Sequence, residues 1–576
     1  MSALSTGTPI LKRADTLVRP YDGYFRSSKQ VQQIPNFEEV NLLNEITKSI
    51  TFLKEYKQLK QAVDEGKTPV LAVGLSAIHK AHLAAALGLD TGRPVLVLTD
   101  DDNAANRFAA DLRGFSERDV VQLPSRELVM ADVVGVSRGY EQRRLAALDE
   151  LTEAHFAVAS VQAAAQRTMP PEALKTAIVS LAAGETAPLD ELAQSLTRAG
   201  YERCVQVEGT GQFSIRGGIL DVFPPQAEHP YRVEFWDDEI DSISTFDVGS
   251  QRRLEQCECL RCLPCMESIP ALAKGGAAGL AKAVLALTST RRKKQHADLQ
   301  ANLERDAERL RETGSLPAAD KYMPLIYPEM ATAFDYLPEN AIVLIEDTPR
   351  LRDAVRDFHA RVADDVTALL ERGEMPPALG EYALDFVGVC GVKRQILRLD
   401  SFLNNVAELT PQHLENFIAN QMNAYGGNLD MASADIRSYT EQGRAVAVVC
   451  GSALRCQNML DALTDTGLNV KISDLLPKGG CVNIMEGTLS AGFEYPDLGL
   501  VVMTEGQVLA RRKKTQVKKS NRDKVKSYTD LTPGDLVVHE HHGIGRFIGM
   551  ERMTVDGSER DFIKIAFAGT DFLYVP

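Results

Sequence analysis

Between residues 38 and 161 the sequence alternates short apolar runs with helix-length amphipathic stretches, and this alternation narrows the possible folds more than any other feature. The apolar runs cover residues 69–74, 95–99, 120–123 and 156–161. Such short, continuously apolar runs are typical of parallel strands that helices cover on both faces. The pattern predicts a parallel sheet with helical crossovers.

The pattern changes after residue 175, where a predicted helix at 188–199 is followed by segments rich in glycine, β-branched and aromatic residues over 201–246. This pattern of one helix followed by short strand-like segments predicts an inserted α+β module. Beyond it come a charged helix at 281–312 and an apolar run at 341–345. We expect that run to complete the first sheet after the insertion.

The rest of the chain divides into three segments. Strand-like runs alternate with helices over residues 410–505 and predict a second, small α/β domain. Residues 511–526 hold nine basic residues and one acidic residue, which favours a solvated linker, with contact to DNA phosphates as the open alternative. From residue 531 onward five short strand-like runs, with Asp556 and Gly557 as a turn, predict a small β-barrel.

Composition bounds the classes of function. A chain of 576 residues requires several hydrophobic cores. The chain as a whole has a net charge of −15 and does not attract nucleic acid or anionic membranes, so any such contact is local. The nine cysteines are an odd number and no secretion signal opens the sequence, which favours a reducing compartment. No apolar stretch reaches the ~20 residues that cross a bilayer. We expect a monomeric, cytoplasmic protein with reduced cysteines and no membrane contact.

The segment from Gly74 to Ala81 fits the spacing of the phosphate-binding loop G-x-x-x-x-G-K-[ST]. That loop needs its second glycine so that backbone amides can close around the phosphates, and a hydroxyl after the lysine to hold Mg²⁺. His79 and Ala81 occupy these two positions, and Lys80 alone supplies one charge. We therefore predict a degenerate nucleotide loop, with no cofactor and no catalytic residue in this segment.

Several longer motifs carry a resemblance to a known family. They are residues 123–127 (LPSRE), 158–163 (VASVQA), 216–224 (RGGILDVFP), 230–240 (PYRVEFWDDEI) and 537–547 (VVHEHHGIGRF). The chain resembles the N-terminal half of the bacterial transcription-repair coupling factors, whose first domains are similar to the excision-repair helicase subunit UvrB with eroded ATPase motifs. The third and fourth motifs form a signature shared with UvrB, and the last contains the H-G-I-G-R run of the polymerase-binding module.

The resemblance implies a protein that binds RNA polymerase stalled at a DNA lesion and recruits the damage-recognition protein UvrA. In that family an ATP-driven translocase on double-stranded DNA, which uses ATP and Mg²⁺, lies further along the chain. The resemblance thus implies a docking and recruiting half without an ATPase of its own. The alternative is an active NTP-dependent DNA helicase lobe of the UvrB type. Glu346 and Asp347 follow the run at 341–345, and we expect them only to end that strand for solubility.

The resemblance also implies the order of the domains, within a multidomain α/β and α+β architecture. A degenerate helicase-like lobe of RecA type covers residues 1–174 and 257–392, and an inserted UvrA-binding α+β module covers 175–256. They are followed by a small α/β domain at 393–508, a basic linker at 509–527 and an RNA polymerase-interacting β-barrel of SH3/Tudor type at 528–576.

The UvrA-contacting positions implied by the resemblance are Arg216, Arg232 and Trp236, the last in place of the family's usual phenylalanine. Two arginines and an aromatic residue on one sheet-rich module are typical of protein interfaces. From the residues alone, the alternative is that the arginines pair with the acids at 237–239 and that the tryptophan belongs to the core.

For the polymerase β subunit, the resemblance implies strand addition at an exposed barrel edge and an apolar contact at Met553. Arg546, Phe547 and Ile548 on the preceding strand are further candidates. The alternative is that Met553 and Phe547 alternate into the barrel core.

Two groups contain residue types that bind metals. The four cysteines between residues 257 and 265 are close enough in sequence to encircle an ion. Residues 255–264 read as one strand, however, which divides the thiols between two faces, so buried free thiols are favoured. The histidines at 539–542 are divided in the same way, and we expect no metal at either place.

Overall fold

The structure, a computed structural model, describes residues 44–130, 138–287, 296–376, 379, 381–422, 424–473, 475–476, 480–509, 534, 536–539, 543–555, 558–566 and 572–575. Within them are five β-sheets, of which one is entirely parallel and seven-stranded. The predicted mixed α/β architecture is confirmed. Most of the predicted basic linker lies outside the described residues, as do residues 1–43.

The seven-stranded sheet forms the centre of what we call the first lobe. Its strands, in order across the sheet, are His413–Asn416, Val70–Val73, Gln395–Leu399, Ile342–Glu346, Val95–Thr99, Phe156–Ser160 and Val120–Leu123. All four strands predicted before residue 161 are present, and the run predicted at 341–345 joins them from beyond the insertion. The prediction of a parallel sheet completed after an insertion is confirmed.

Apolar clusters cover both faces of this sheet. Leu96 and Leu98 belong to one cluster, and Val95 and Val97 belong to the other. Because neighbouring residues of a strand point to opposite faces, a strand buried on both sides must be apolar throughout. The continuous apolar runs in the sequence have this cause.

The sheet extends past residue 393, where the sequence predicts a new domain. The strands Gln395–Leu399 and His413–Asn416 hydrogen-bond on either side of Val70–Val73. Arg398 interrupts the apolar pattern of the first of them, yet its side chain is completely buried and its Nη2 lies 2.7 Å from Asp400 Oδ2. Because this strand contains a buried charge that is paired locally, it does not form the continuous apolar run that predicts the other strands.

Helices connect and cover these strands. The α-helices are Asn44–Ser49, Lys54–Asp64, Ala77–Thr91, Asp102–Ser116, Gly139–Leu151, Val161–Ala165, Pro171–Ala177, Leu189–Arg198, Gly276–Ala286, His296–Thr313, Met323–Ile326, Thr348–Glu371, Phe386–Cys390, Leu429–Glu441, Ala453–Asp465 and Glu505–Val508. The single charged helix predicted at 281–312 is wrong, because Gly276–Ala286 and His296–Thr313 are separate helices in contact with each other. The cluster of basic residues at 291–294 lies outside the described residues.

The inserted module is built on a six-stranded, mostly antiparallel sheet. Its strands, in order, are Arg253–Cys257, Glu239–Phe246, Tyr231–Trp236, Ile219–Val222, Gln212–Arg216 and Glu202–Arg203. A two-stranded sheet, Val179–Ala182 with Cys259–Cys262, lies beside it, and the helix Leu189–Arg198 packs on the shared apolar cluster. The predicted α+β insertion is confirmed.

The cysteines between residues 257 and 265 do not lie on one strand, and that prediction is wrong. The chain leaves the six-stranded sheet after Cys257 and enters the two-stranded sheet at Cys259. Cys262 and Cys265 are buried, and burial raises the pKa of the Cys262 thiol to about 12. Among the described residues no group of three or more potential ligands could hold a metal ion.

A second α/β sheet follows, which we call the middle sheet. Its strands, in order, are Asn420–Gln421, Phe493–Tyr495, Leu500–Thr504, Ala445–Cys450, Val482–Glu486 and Val470–Ile472. The C-terminal sheet is antiparallel and has four strands, Leu536–His539, Gly543–Val555, Ser558–Ala566 and Phe572–Val575. Two of the five runs predicted there form the single long strand Gly543–Val555. Asp556 and Gly557 lie outside the described residues. They fall between two strands that pair with each other, with Val555 opposite Ser558.

A buried network of charges joins the segments before and after the insertion. Glu267, where the chain returns from the module, is completely buried, and its Oε1 lies 2.7 Å from Arg126 Nε and 3.1 Å from Arg144 Nε. Arg126 also contacts Asp320, with its Nη1 2.6 Å from Oδ2. Burial raises the pKa of Asp320, but the Arg126 charge and the hydrogen bonds from Arg126, Ser268 and the Val129 N–H together outweigh it and hold the pKa below its usual value. The network fixes the ends of the insertion in the lobe.

Glu267→Ala removes the acid that the two buried arginines share. Removing one partner of a buried ion pair costs ~3–5 kcal/mol, because the other charge stays buried, and we expect a loss of this size in the free energy of unfolding by urea. Glu172→Ala, which removes the exposed pair between Glu172 and Lys175, is the control and should leave the transition unchanged. Equal transitions for the two variants would contradict this role of Glu267.

Candidate functional site

The turn after the strand Val70–Val73 lies where a phosphate loop would lie, and another part of the chain packs closely against it. Gly74 has φ +83°, and a Cβ there would be 2.2 Å from the carbonyl oxygen of Phe417. Phe417 is held in place because its N–H donates to Val73 O at 2.9 Å. The close approach of this carbonyl oxygen leaves no room for a side chain at position 74.

The two altered loop positions and the lysine between them lie at the start of the helix Ala77–Thr91 and are all buried. His79 Nδ1 is 2.8 Å from Ser76 Oγ, and burial lowers the pKa of the imidazole to about 4. Lys80 is only 3% exposed, with its Nζ 3.4 Å from Ser401 Oγ. Ala81 is completely buried and has no hydroxyl. Each of the three side chains is therefore part of the protein interior.

The expectation that Glu346 ends its strand for solubility is wrong. Its carboxylate is largely buried and lies 3.8 Å from Lys80 Nζ. Burial raises the pKa of Glu346, and the nearby ammonium of Lys80 works against that rise. The lysine of the loop motif therefore contacts an acid of the protein in place of a phosphate.

An aromatic cluster joins the loop helix to the middle sheet. The rings of Phe493 and Tyr495, on one strand of that sheet, meet the His79 ring edge-on with centroids 5.4 and 5.0 Å away. His82, one helical turn further on, stacks on Phe115 at 4.7 Å. Its Nε2 lies 3.0 Å from the carbonyl oxygen of Ile46, and burial lowers its pKa to about 3. Sequence reasoning missed this role of both histidines, because their partners are distant in sequence.

The first lobe and the middle sheet thus share one apolar core. A polar contact beside the aromatic cluster strengthens the join, because Asp111 accepts hydrogen bonds from Ser490 N at 2.7 Å and Ser490 Oγ at 2.6 Å. Gly114 lies so close to the carbonyl oxygen of Thr488 that a Cβ there would be 2.3 Å from it. The middle sheet closes the lobe on the side of the degenerate loop.

The inserted module presents a second site on the outer face of its sheet, which we call the arginine patch. Asp221, on the strand Ile219–Val222, lies between Arg232 on the next strand and Arg216 on the preceding one. Its Oδ1 is 2.7 Å from Arg232 Nε, and its Oδ2 is 2.6 Å from Arg216 Nη2. Trp236, two positions beyond Glu234 on the same strand, is 81% exposed.

Both parts of the alternative for these residues are wrong. The arginines pair with Asp221, which the sequence analysis did not single out, and not with the acids at 237–239. The tryptophan is among the most exposed large apolar side chains of the described residues. The pairing follows the register of the antiparallel strands, in which Asp221 lies directly opposite Arg232.

The C-terminal sheet holds the third set of predicted residues. Phe547 is 3% exposed and lies opposite Ile565, so its side chain supports the sheet and is not available as a contact. The register shifts between Phe547 and Gly549, and this bulge leaves Ile548 exposed. Arg546 is exposed and donates from Nη1 to Gly534 O at 3.2 Å. For Met553 only the backbone is described, opposite Arg560.

Within the described residues, one edge of the long strand Gly543–Val555 is paired over only part of its length. Leu536–His539 pairs with it only from Gly543 to Arg546, and Gly534 N donates to Phe547 O. Among the described residues no strand covers that edge from Ile548 to Val555, the part that includes Met553. Unpaired strand edges are suited to the addition of a strand from a partner. The histidines at 541 and 542 lie outside the described residues.

The fold and these sites define a class of protein. It has a parallel α/β lobe with a degenerate phosphate-loop motif, and an inserted, mostly antiparallel module with a patch of arginines and an exposed tryptophan. No helix among the described residues is long and apolar enough to span a membrane.

Comparisons with known proteins show what this chain is similar to. Residues 179–267 match the family model of the UvrB interaction domain, and residues 531–576 match that of the CarD-like/TRCF RID domain. The transcription-repair-coupling factor of Bacillus subtilis is 32% identical over 547 residues, which cover 91% of this chain and 46% of the relative. Those of Staphylococcus epidermidis and Staphylococcus haemolyticus are 26% and 27% identical over 90% and 89% of this chain.

The chain spans slightly less than half the length of these relatives, with 45% and 44% of the two staphylococcal proteins covered. The resemblance predicted from the sequence is confirmed: the chain is similar to the N-terminal half of the transcription-repair coupling factors.

Restoring the phosphate-loop motif should not restore nucleotide binding. We expect the double variant H79G/A81S to show no magnesium-dependent binding of ATP, because the carbonyl oxygen of Phe417 still lies against Gly74. Titration with a fluorescent ATP analogue up to millimolar concentration measures this. The same variant with Lys80→Ala added is the control. Tight binding that this third change abolishes would show that the residue types at positions 79 and 81, and not the packing of the chain against Gly74, prevent binding.

Proposed function

We propose that this chain is the docking and recruiting part of a transcription-repair coupling factor. It binds the β subunit of RNA polymerase stalled at DNA damage and recruits UvrA for nucleotide excision repair. ATP-driven translocation on double-stranded DNA, with ATP and Mg²⁺, belongs to further domains of the whole protein. This chain acts as a monomer in the cytoplasm and hydrolyses no nucleotide itself.

The arginine patch is the observation that carries this proposal. It lies within the segment that matches the UvrB interaction domain, and it places two arginines and an exposed tryptophan on one face of a rigid sheet. Arginine and tryptophan are the residues that most often dominate the binding energy of protein interfaces. A tryptophan this exposed adds nothing to the core, which supports a role in binding UvrA.

The free strand edge supports the polymerase contact. It lies within the segment that matches the RID domain family, and it includes Met553 and the exposed Ile548. We propose that a strand of the polymerase β subunit adds to this edge and that Met553 makes the apolar contact, with Arg546 and Ile548 at its side. Closure of the four strands into a small barrel of SH3/Tudor type is part of this proposal.

The buried Lys80, which contacts Glu346 and Ser401, supports the absence of nucleotide chemistry in the first lobe. The energy for moving RNA polymerase must then come from another part of the protein. This argues against an active UvrB-type helicase lobe.

Trp236→Ala should weaken the binding of UvrA by ~2 kcal/mol, which is typical of an interface hot spot, without lowering the melting temperature. Binding of purified UvrA measured by biolayer interferometry tests this. The control is Phe402→Ala in the first lobe, which removes an aromatic side chain that is 83% exposed. Trp236→Phe, which restores the usual family residue, should bind nearly as well as the parent. Unchanged affinity of Trp236→Ala would remove the tryptophan from the site.

Met553→Arg should abolish the capture of RNA polymerase and leave the affinity for UvrA unchanged, because a charge cannot be buried in an apolar contact without a partner. A pull-down with polymerase and a separate one with UvrA measure the two activities. Trp236→Ala is the reciprocal control and should lose only UvrA. Loss of both partners in Met553→Arg would indicate misfolding, and retention of polymerase would contradict the assignment.

A further inference from the structure

The two arginines of the arginine patch share one buried carboxylate. Asp221 is only 1% exposed, and Arg232 binds it with two groups, Nε at 2.7 Å from Oδ1 and Nη2 at 2.9 Å from Oδ2. Arg216 binds the same Oδ2 through Nη2 at 2.6 Å. One negative charge is therefore balanced by two positive charges, which leaves the patch with a net charge of +1 from these three residues.

The environments of the two arginines differ. The Arg232 side chain is 14% exposed, its guanidinium lies 4.5 Å from the centroid of the Phe246 ring, and it also donates to the backbone oxygen of Gln251 at 3.3 Å. The Arg216 side chain is 49% exposed, and among the described residues its one hydrogen bond is the bond to Asp221. Arg232 is thus held on three sides, whereas most of the Arg216 fork faces solvent.

We infer that Asp221 is a positioning residue of the UvrA-binding site, and that Arg232 acts through it and not by touching UvrA. Asp221 orients Arg216, which binds a carboxylate of the partner while the indole of Trp236 enters an apolar recess beside it. This inference rests on the proposed function and assigns separate roles to the two arginines.

Charge balance explains why the site needs both arginines. When the partner's carboxylate arrives, two anions share two cations, and Asp221 stays neutralised by Arg232 while Arg216 serves the partner. Without Arg232, the buried Asp221 has Arg216 as its only hydrogen-bonded cation and competes with the partner for it. A desolvated carboxylate without a partner is costly, so this competition favours Asp221.

A double-mutant cycle separates this role from direct contact. We expect Arg232→Ala and Asp221→Asn each to weaken the binding of purified UvrA to the full chain by about tenfold, as the loss of a charged hydrogen bond does. In R232A/D221N the competing charge is gone, so the double variant should bind at least as well as Arg232→Ala alone. If Arg232 contacts UvrA directly, Arg232→Ala should also weaken binding in an Arg216→Ala background, whereas the positioning role predicts no further loss there.

The controls separate this inference from the function on which it rests. Asp149→Asn removes a similar acid–arginine pair, with Arg261, away from the patch and should not change the affinity. Arg216→Ala should weaken binding most of the set. If Arg216→Ala and Trp236→Ala both bind normally, the proposed function fails. If they bind weakly but the losses of Arg232→Ala and Asp221→Asn multiply in R232A/D221N, the positioning role is overturned. Normal binding by Asp221→Asn would overturn it as well.

Folding of the variants is checked by melting temperature, and Arg232→Lys covers the case in which Asp221→Asn does not fold. Lysine keeps the charge but cannot make the paired hydrogen bonds or lie flat on Phe246. We expect Arg232→Lys to bind more weakly than the parent but more tightly than Arg232→Ala, since it still neutralises Asp221. Affinity equal to that of Arg232→Ala would contradict the role of charge balance.

Discussion

Glu267 places a carboxylate in the interior of the first lobe, and the arrangement of the rest depends on how that charge is held. Two arginines from the segment before the insertion surround it, and one of them also binds Asp320 from the segment after it. A buried ion pair adds little net stability compared with apolar packing, but breaking it is costly. The network therefore acts chiefly as a constraint: segments far apart in sequence must meet at one point, and the module is inserted at a fixed place.

The turn at Gly74 shows how a nucleotide site can become a structural joint. In a working phosphate loop the positions of His79 and Ala81 serve the ligand, whereas here both are buried. The imidazole of His79 packs against two aromatic rings of the middle sheet, and the space beside Gly74 holds a carbonyl oxygen of the chain. A side chain that departs from the phosphate-loop motif thus takes part in attaching the middle sheet.

The two proposed partner sites use different physics. The arginine patch presents side chains fixed by a shared carboxylate, and its affinity depends on the direction of a guanidinium and on an exposed indole. The edge of Gly543–Val555 presents backbone groups, which bind a strand with little demand on its sequence. The two sites lie on separate sheets.

The sequence by itself determined the parallel sheet, the insertion, the small α/β unit and the family, since continuous apolar runs and long specific motifs are local signals. It also showed that the loop positions 79 and 81 had lost the residues that a triphosphate needs. Only the tertiary structure decided that Asp221 is the partner of both arginines, that Trp236 is exposed, that Phe547 is internal, and that strands beyond residue 393 complete the first sheet. The physical reason is that these outcomes depend on strand register and on burial, which bring together residues that no spacing in the sequence relates.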